Sequence, residues 1–354
     1  MNAPRLVPPQ HAAGRLSAMS ALTGAHPPAH TGPAPPPARK AEYASASAST
    51  TGELGELQTS TPPALAPFFW LASRAPWVVQ AIGPAIVCLV PMASRAVRQG
   101  TTLNARRIFG RALAPREQQR FTRAVVKSFY GFIADVGRST GGDAAALLSR
   151  IEQVEGEEAY RELRARGGGA VLVTAHMGSF EVGLAALTRA EKPGVVRVVY
   201  KRDASGAFEA MRARLRRMLG VVEAPIDDGL TTWMDLRDAL HRGGVVVMQA
   251  DRAMPGQRSE VVPFLYGHLR IPTGAVRLAR MTGCPIVPVY TVRTPSGNFA
   301  VHLHAAIDAG PGAPPGRSDA AVAAVARSIE SMVRTYPDQW LVLGAAFEED
   351  APRA

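Results

Sequence analysis

The sequence predicts an α/β fold in which a central, mostly parallel sheet is flanked by helices and preceded by an N-terminal apolar membrane anchor. Three observations carry this expectation. From Pro115 onward, short β-branched runs alternate with helical patterns. The runs are apolar at consecutive positions, as strands covered on both faces are. One long uncharged stretch, Ala75–Ser94, stands ahead of them. Of 354 residues 47% are hydrophobic and only 2 are Cys, which excludes a wholly disordered chain and a disulfide-stapled one. Cys88 and Cys284 lie in apolar contexts with no metal-ligand or redox spacing, and both are expected to be buried thiols.

Residues 1–64 hold 11 of the 29 prolines and a single aromatic, Tyr43. Such a segment buries too little apolar surface to offset its ordering entropy and is expected to be a disordered Pro/Ala/Ser-rich tail. A cleaved targeting peptide is the competing reading, but no compact basic-then-apolar pattern stands at the N-terminus.

Residues 65–98 form the expected anchoring segment. Pro67-Phe68-Phe69-Trp70-Leu71 and Arg74 lead into twenty uncharged residues, Ala75–Ser94, about the length that spans a hydrocarbon core. Pro76, Pro84, Pro91 and Gln80 interrupt a straight span, so a kinked span and a shallow interfacial anchor are alternatives, with a buried helix of a soluble domain as a third. The next segment weakens that third reading. Between Arg95 and Lys127 lie nine basic residues and one acidic residue, Glu117, the sign expected against anionic lipid on a cytoplasmic face. The net charge of +11 likewise asks for an anionic partner. No nucleic-acid motif accompanies the basic run, so nucleic acid is not expected among the partners.

Residues 99–347 are the expected catalytic domain and 348–354 a C-terminal tail. Helices are expected at Arg116–Val136, Glu157–Arg166, Glu181–Ala190, Phe208–Leu219, Thr232–Arg242, Thr273–Thr282 and Asp319–Thr335. Strands are expected at Ala170–Thr174, Val195–Tyr200, Val245–Ala250, Ile286–Val292 and Phe299–Ile307.

Ligands of such sheets gather beyond the carboxyl ends of strands, and three strand ends carry reactive side chains. The first strand ends at Ala175-His176, after which Ser179 is placed to cap a helix. Glu181, in the first turn of that helix, can swing back toward the imidazole. A carboxylate on one ring nitrogen fixes the tautomer and leaves the other nitrogen to take a proton from a hydroxyl. A structural histidine, with Glu181 merely offsetting the helix dipole, is the plainer alternative. The second strand ends at Tyr200-Lys201-Arg202-Asp203, where cations suit a phosphate or an acidic carrier, as they suit an ordinary solvated loop. The third ends at Gln249-Ala250-Asp251-Arg252, where the Asp and Arg either pair with each other or help position the acceptor or His176. Pro263–Gly267 and Ile271–Ala279 suit either a chain-length pocket or the core, and His302 and His304 are expected on the surface. Ser179 lies in no G-x-S-x-G elbow, and no H-E-x-x-H, P-loop or dinucleotide-binding glycine pattern occurs, so no metal or cofactor is expected.

The ordered blocks Asn104-Ala105-Arg106-Arg107, Ala175–Glu181, Tyr200–Asp203, Gln249–Arg252, Val262–Gly267, Ile271–Tyr290 and Tyr336–Trp340 resemble the bacterial lipid A lauroyl/myristoyl acyltransferase family over about Pro67–Phe347. A His followed after four residues by an acid is the mark of the wider glycerolipid acyltransferases. The resemblance implies a glycerolipid-acyltransferase-like fold and O-acyl transfer from acyl carrier protein or coenzyme A to a hydroxyl of a membrane glycolipid, at the cytoplasmic face of the bacterial inner membrane. It implies His176 as the base with Glu181 as its orienting partner. Arg202 and Asp251, with Lys201 and Arg252 beside them, would be substrate-binding. Backbone N–H groups around Gly178 or the Arg202 guanidinium would serve the oxyanion. This chain carries Lys201 and Arg202 where a Tyr-Arg pair is usual, so the two cations remain alternatives, and it lacks the E-G-T-R phosphate block of the glycerol-phosphate branch. A lysophospholipid or phosphatidylinositol-mannoside-type acyltransferase and a catalytically silent lipid-binding protein are the alternatives on the same fold.

Overall fold

A computed structural model describes residues 71–350 except 72–73, 140–143, 193, 202–205, 255, 313 and 315–318. The expected tail at 1–64 and the Arg202 position lie outside the described residues. Contacts divide the chain into residues 1–50 and 51–354, and everything below concerns the second unit.

Helix α1 (Pro76–Ala93) takes up the uncharged stretch, with Pro at its start, where a missing N–H costs nothing, and Pro84 and Pro91 inside it. Ser94 ends it and caps α2 (Arg95–Phe109) by accepting from the Val97 amide. The two helices meet at 88°, and among the described residues no single helix is long and apolar enough to cross a membrane. Trp77, Leu89 and Met92 of α1 are 71%, 60% and 69% exposed, an unusual display for residues that normally seek the core. Cys88 is exposed on the same helix, against the expectation of a buried thiol, because only one side of α1 packs on the protein; Cys284 is buried.

That packed side meets α3 (Pro115–Ser139), whose Tyr130 hydroxyl donates to the Val79 carbonyl. A short α4 (Ala144–Leu148) then leads to the sheet.

The sheet contains β1 (Ile151–Glu155), β2 (Ala170–Thr174), β3 (Val196–Tyr200), β4 (Val222–Pro225), β5 (Val245–Gln249), β8 (Ile286–Arg293) and β9 (Phe299–Leu303), in the order β1-β9-β8-β2-β5-β3-β4. Every neighbouring pair is parallel except β8 with β9. The helices of the crossovers are α5 (Glu157–Ala165), α6 (Phe180–Ala190), α7 (Gly206–Met218) and α8 (Leu230–His241), followed by α9 (Gly274–Thr282) and α10 (Ala320–Thr335). All five residues of β2 are buried, and they alternate between two cores: Val171 and Val173 in one, Ala170 and Leu172 in the other. Each of these Val and Leu side chains contributes about 1.5–3 kcal/mol on burial.

The expected mostly parallel sheet is present. Strands β1 and β4 were not foreseen, since half-exposed Ile151–Glu155 and Val222–Pro225 carry charge and little β-branched character. The apolar Pro263–Gly267 segment is part of a separate antiparallel hairpin, β6 (Ser259–Phe264) and β7 (Gly267–Pro272). Its Phe264 packs on Trp340 and Phe347 and belongs to the core. His302 is buried and hydrogen-bonded to Glu155 at 2.7 Å, against the expected surface position, and His304 is half-buried and meets Ser328 at 2.9 Å. Residues 348–350, expected as tail, are tied to the domain: Glu348 to Arg270, Glu349 to His268 and Asp350 to Arg107.

Candidate active site

Strand register builds the site. In the β2–β5 ladder Thr174 stands opposite Gln249, and the Ala250 amide donates to the Thr174 carbonyl at 2.8 Å. His176 and Asp251 each lie two residues beyond those strand ends, so the parallel register delivers them side by side at the carboxyl edge. His176 Nδ1 is 2.8 Å from Asp251 Oδ1, and the His176 backbone N–H donates to Asp251 Oδ2 at 3.1 Å.

Asp251 receives one further bond, from Trp340 Nε1–H to Oδ2 at 2.9 Å. The segment bearing Trp340 is stitched to the loop after β2: the Leu341 amide donates to the His176 carbonyl at 2.7 Å and the Gly178 amide to the Gln339 carbonyl at 3.2 Å. Asn104 holds the next turn, donating to the carbonyls of Val342 and Gly344 and accepting from the Ala346 amide. Burial alone would raise the Asp251 pKa, but the attraction of His176 and the hydrogen bonds from His176 and Trp340 outweigh it and hold the carboxyl well below the usual carboxylate range. An ionised Asp251 is an acceptor only, so Nδ1 carries the proton and Nε2 presents a lone pair.

The imidazole is 29% exposed while its Asp partner is fully buried. Nε2 therefore opens into a pocket of about 210 Å3, walled by Phe129 and Phe132 of α3, Met177, Phe180, Leu341 and Leu343. Gln249 and Arg252 add polar groups, and the Arg252 Nη2 lies 3.4 Å from His176 Nε2. Helix α3 is pinned over this pocket by buried Asp135, which accepts from Arg150 at 2.7 Å and from Arg293. Below Met177 and Phe180 a narrow apolar cavity continues between α6 and the sheet, and through Leu172, Gly183, Leu187 and Val289 it adjoins a wider one of about 390 Å3. A Cβ on Gly183 would collide with the Thr291 hydroxyl, so any larger residue there must displace Thr291.

The structure brings together His176, Asp251 and Arg252, and does not bring Glu181 to the ring. Glu181 is buried in the first turn of α6, with Oε1 3.7 Å from Arg212 Nε and Oε2 without a hydrogen-bond partner. Its place behind the loop, beside α7, is what separates it from His176; burial raises its pKa, partly offset by Arg212 and Arg216. The carboxylate on the ring is thus Asp251 and not, as expected, Glu181. The Gly178 amide is occupied by Gln339 and is no oxyanion donor. Lys201 is exposed and lines a different groove, next to the site. Trp340, Phe129 and Phe132 were missed as site residues, because no local pattern tells that their elements fold back over the β2 edge. The only available signal was Trp340 closing an ordered series of motif blocks.

A family model described as bacterial lipid A biosynthesis acyltransferase matches residues 70–348. No curated protein matches the chain.

Proposed function

Because the chain belongs to the bacterial lipid A biosynthesis acyltransferase family, we propose that it transfers a fatty acyl group from a thioester donor to a hydroxyl of a lipid A-type glycolipid, with His176 as the general base. The observation that carries this reading is the His176–Asp251 pair, with Nε2 facing an apolar pocket. Nε2 takes the proton of the acceptor hydroxyl as its oxygen attacks the thioester carbonyl. The C–O bond forms, and collapse of the tetrahedral intermediate breaks the C–S bond. The imidazolium then returns the proton to the departing sulfur. Asp251 holds the ring in the required tautomer and offsets its charge during the step. Arg252, beside Nε2, supplies donors for the oxyanion. The fatty chain lies along Phe129, Phe132 and Phe180 and continues beneath α6 past Gly183.

The exposed apolar side of α1 and the basic residues that follow suit attachment to the cytoplasmic face of the bacterial inner membrane, with α1 in the interface and its neighbours at headgroup depth. Purified protein given an acyl thioester and lipid acceptor in detergent micelles should form acylated lipid, and His176→Ala should lower the rate by about 10²–10⁴-fold. Full activity of that variant would overturn the assignment.

A further inference from the structure

A second groove, of about 420 Å3, opens beside the catalytic pocket. Three cations border it: Lys201 just past β3, Arg258 at the start of β6, and Arg277 in the first turn of α9. None has a carboxylate partner among the described residues, and the one carboxylate in the groove's lining, Asp227, has an interaction of its own. Its floor is the N-terminus of α9. Thr273 stands at the cap position but does not cap: its amide and hydroxyl both donate to the Arg258 carbonyl, at 3.0 and 3.3 Å. The first-turn amides of α9 thus lack a side-chain acceptor, and an anion completes such an end. Trp233 closes over it so tightly that a Cβ on Gly274 would stand 2.9 Å from Trp233 Cη2. Glycine there is required by the indole, which adds an apolar wall to the anionic seat.

The groove is linked to the catalytic pocket by the chain itself. Arg252 lines one and Met254 the other, two residues apart, a span of at most about 7 Å. Met254 is itself held, its amide donating to Gln257 Oε1 and its carbonyl accepting from the Gln257 amide, both at 3.0 Å. Uncommitted cations, an open helix end and an apolar wall one step from a thioester site match one chemistry. We propose that this groove binds the phosphate of a phosphopantetheine-type acyl donor, whose thiol arm runs past Met254 to the His176 pocket while Trp233 covers the branched carbons next to the phosphate. The proposal rests on the acyl-transfer reading and names the donor end of that site. The arm is common to free coenzyme A and to a carrier protein.

The test uses the whole protein and the double variant Arg258→Ala/Arg277→Ala, both positions being exposed, with a phosphate-free acyl-N-acetylcysteamine thioester as the comparison donor. For phosphate-bearing donors KM should rise about tenfold or more, the worth of one or two charge-assisted hydrogen bonds in an open groove, with kcat/KM for the phosphate-free donor unchanged. Loss with acyl-coenzyme A alone identifies the free nucleotide as the source, loss with the carrier-bound donor alone the protein-borne arm, and loss with both the shared phosphate. An unchanged KM for both, or an equal loss with the phosphate-free donor, overturns the proposal. Direct titration of the protein with coenzyme A, followed by Trp fluorescence or calorimetry, separates this from the catalytic reading. Weakened binding in the double variant with no transfer by the wild type would sink the acyltransferase mechanism and leave the groove standing. Transfer with unaltered binding of coenzyme A and unaltered KM would do the reverse.

Discussion

Replacing Asp251 by Asn tests the corrected pairing most sharply. The side chain keeps its shape, but Oδ2 accepts two bonds, from the His176 amide and from Trp340 Nε1, while Oδ1 accepts one, from His176 Nδ1. An Asn orients its single oxygen toward the two donors and its NH2 toward the ring. Nδ1 must then accept, which moves the ring proton to Nε2, the atom that takes the hydroxyl proton in the proposed mechanism. Losing the base in this way costs about 10²–10⁴ in kcat, or about 3–5 kcal/mol of barrier. Glu181→Gln is the control: Glu181 makes no bond to His176 and its Oε2 has no hydrogen-bond partner, so kcat should stay within about threefold of wild type. The assay is initial-rate acyl transfer at saturating donor and acceptor, with circular dichroism to verify folding. A D251N enzyme within tenfold of wild type, or an E181Q enzyme as impaired as D251N with its fold intact, would refute the pairing.

The pH dependence of unfolding gives the same residues opposite signs. Asp251 is depressed below its ordinary value of 3.8, so its stabilisation is present above that value and is lost as pH falls toward the folded-state pKa. Urea midpoints should therefore converge between wild type and D251N as pH drops below about 4. Glu181 is raised above 4.5, so its contribution falls as pH rises through the folded-state pKa, and E181Q should gain relative to wild type toward neutral pH. Trp340→Phe removes one donor from buried Asp251 and should cost about 1–3 kcal/mol of stability and about tenfold in kcat, read from urea unfolding and initial rates. Gly183→Ala forces Thr291 to shift and narrows the passage beneath α6, so the preference among donors of graded chain length should move toward shorter chains; an unchanged profile would exclude that route for the chain. Trp77→Asp/Leu89→Asp on α1 should abolish co-sedimentation with anionic vesicles at any salt, whereas release of the wild type by high salt alone would assign the attachment to the basic surface.

Much of this protein is legible in one dimension. The sheet's central strands follow from consecutive β-branched residues, since a strand buried on both faces admits little else, and β2 falls where its run Ala170–Thr174 ends. The reactive residue types were visible too, because His176, Lys201 and Asp251 sit just past those runs. What the sequence does not contain is which strand lies beside which. Local spacing favours Glu181 for the imidazole, being five positions away, yet the ladder places β5 next to β2 and carries Asp251 to the ring from 75 positions away. Glu181, buried at the start of α6, instead faces Arg212 of α7, with Oε1 3.7 Å from its Nε. Trp340, Asn104 and the aromatic wall of α3 enter the site in the same long-range way. Strand order and register are properties of the whole packed sheet, set by how both cores close, and so the partner of the His176 imidazole was decided by the tertiary structure alone.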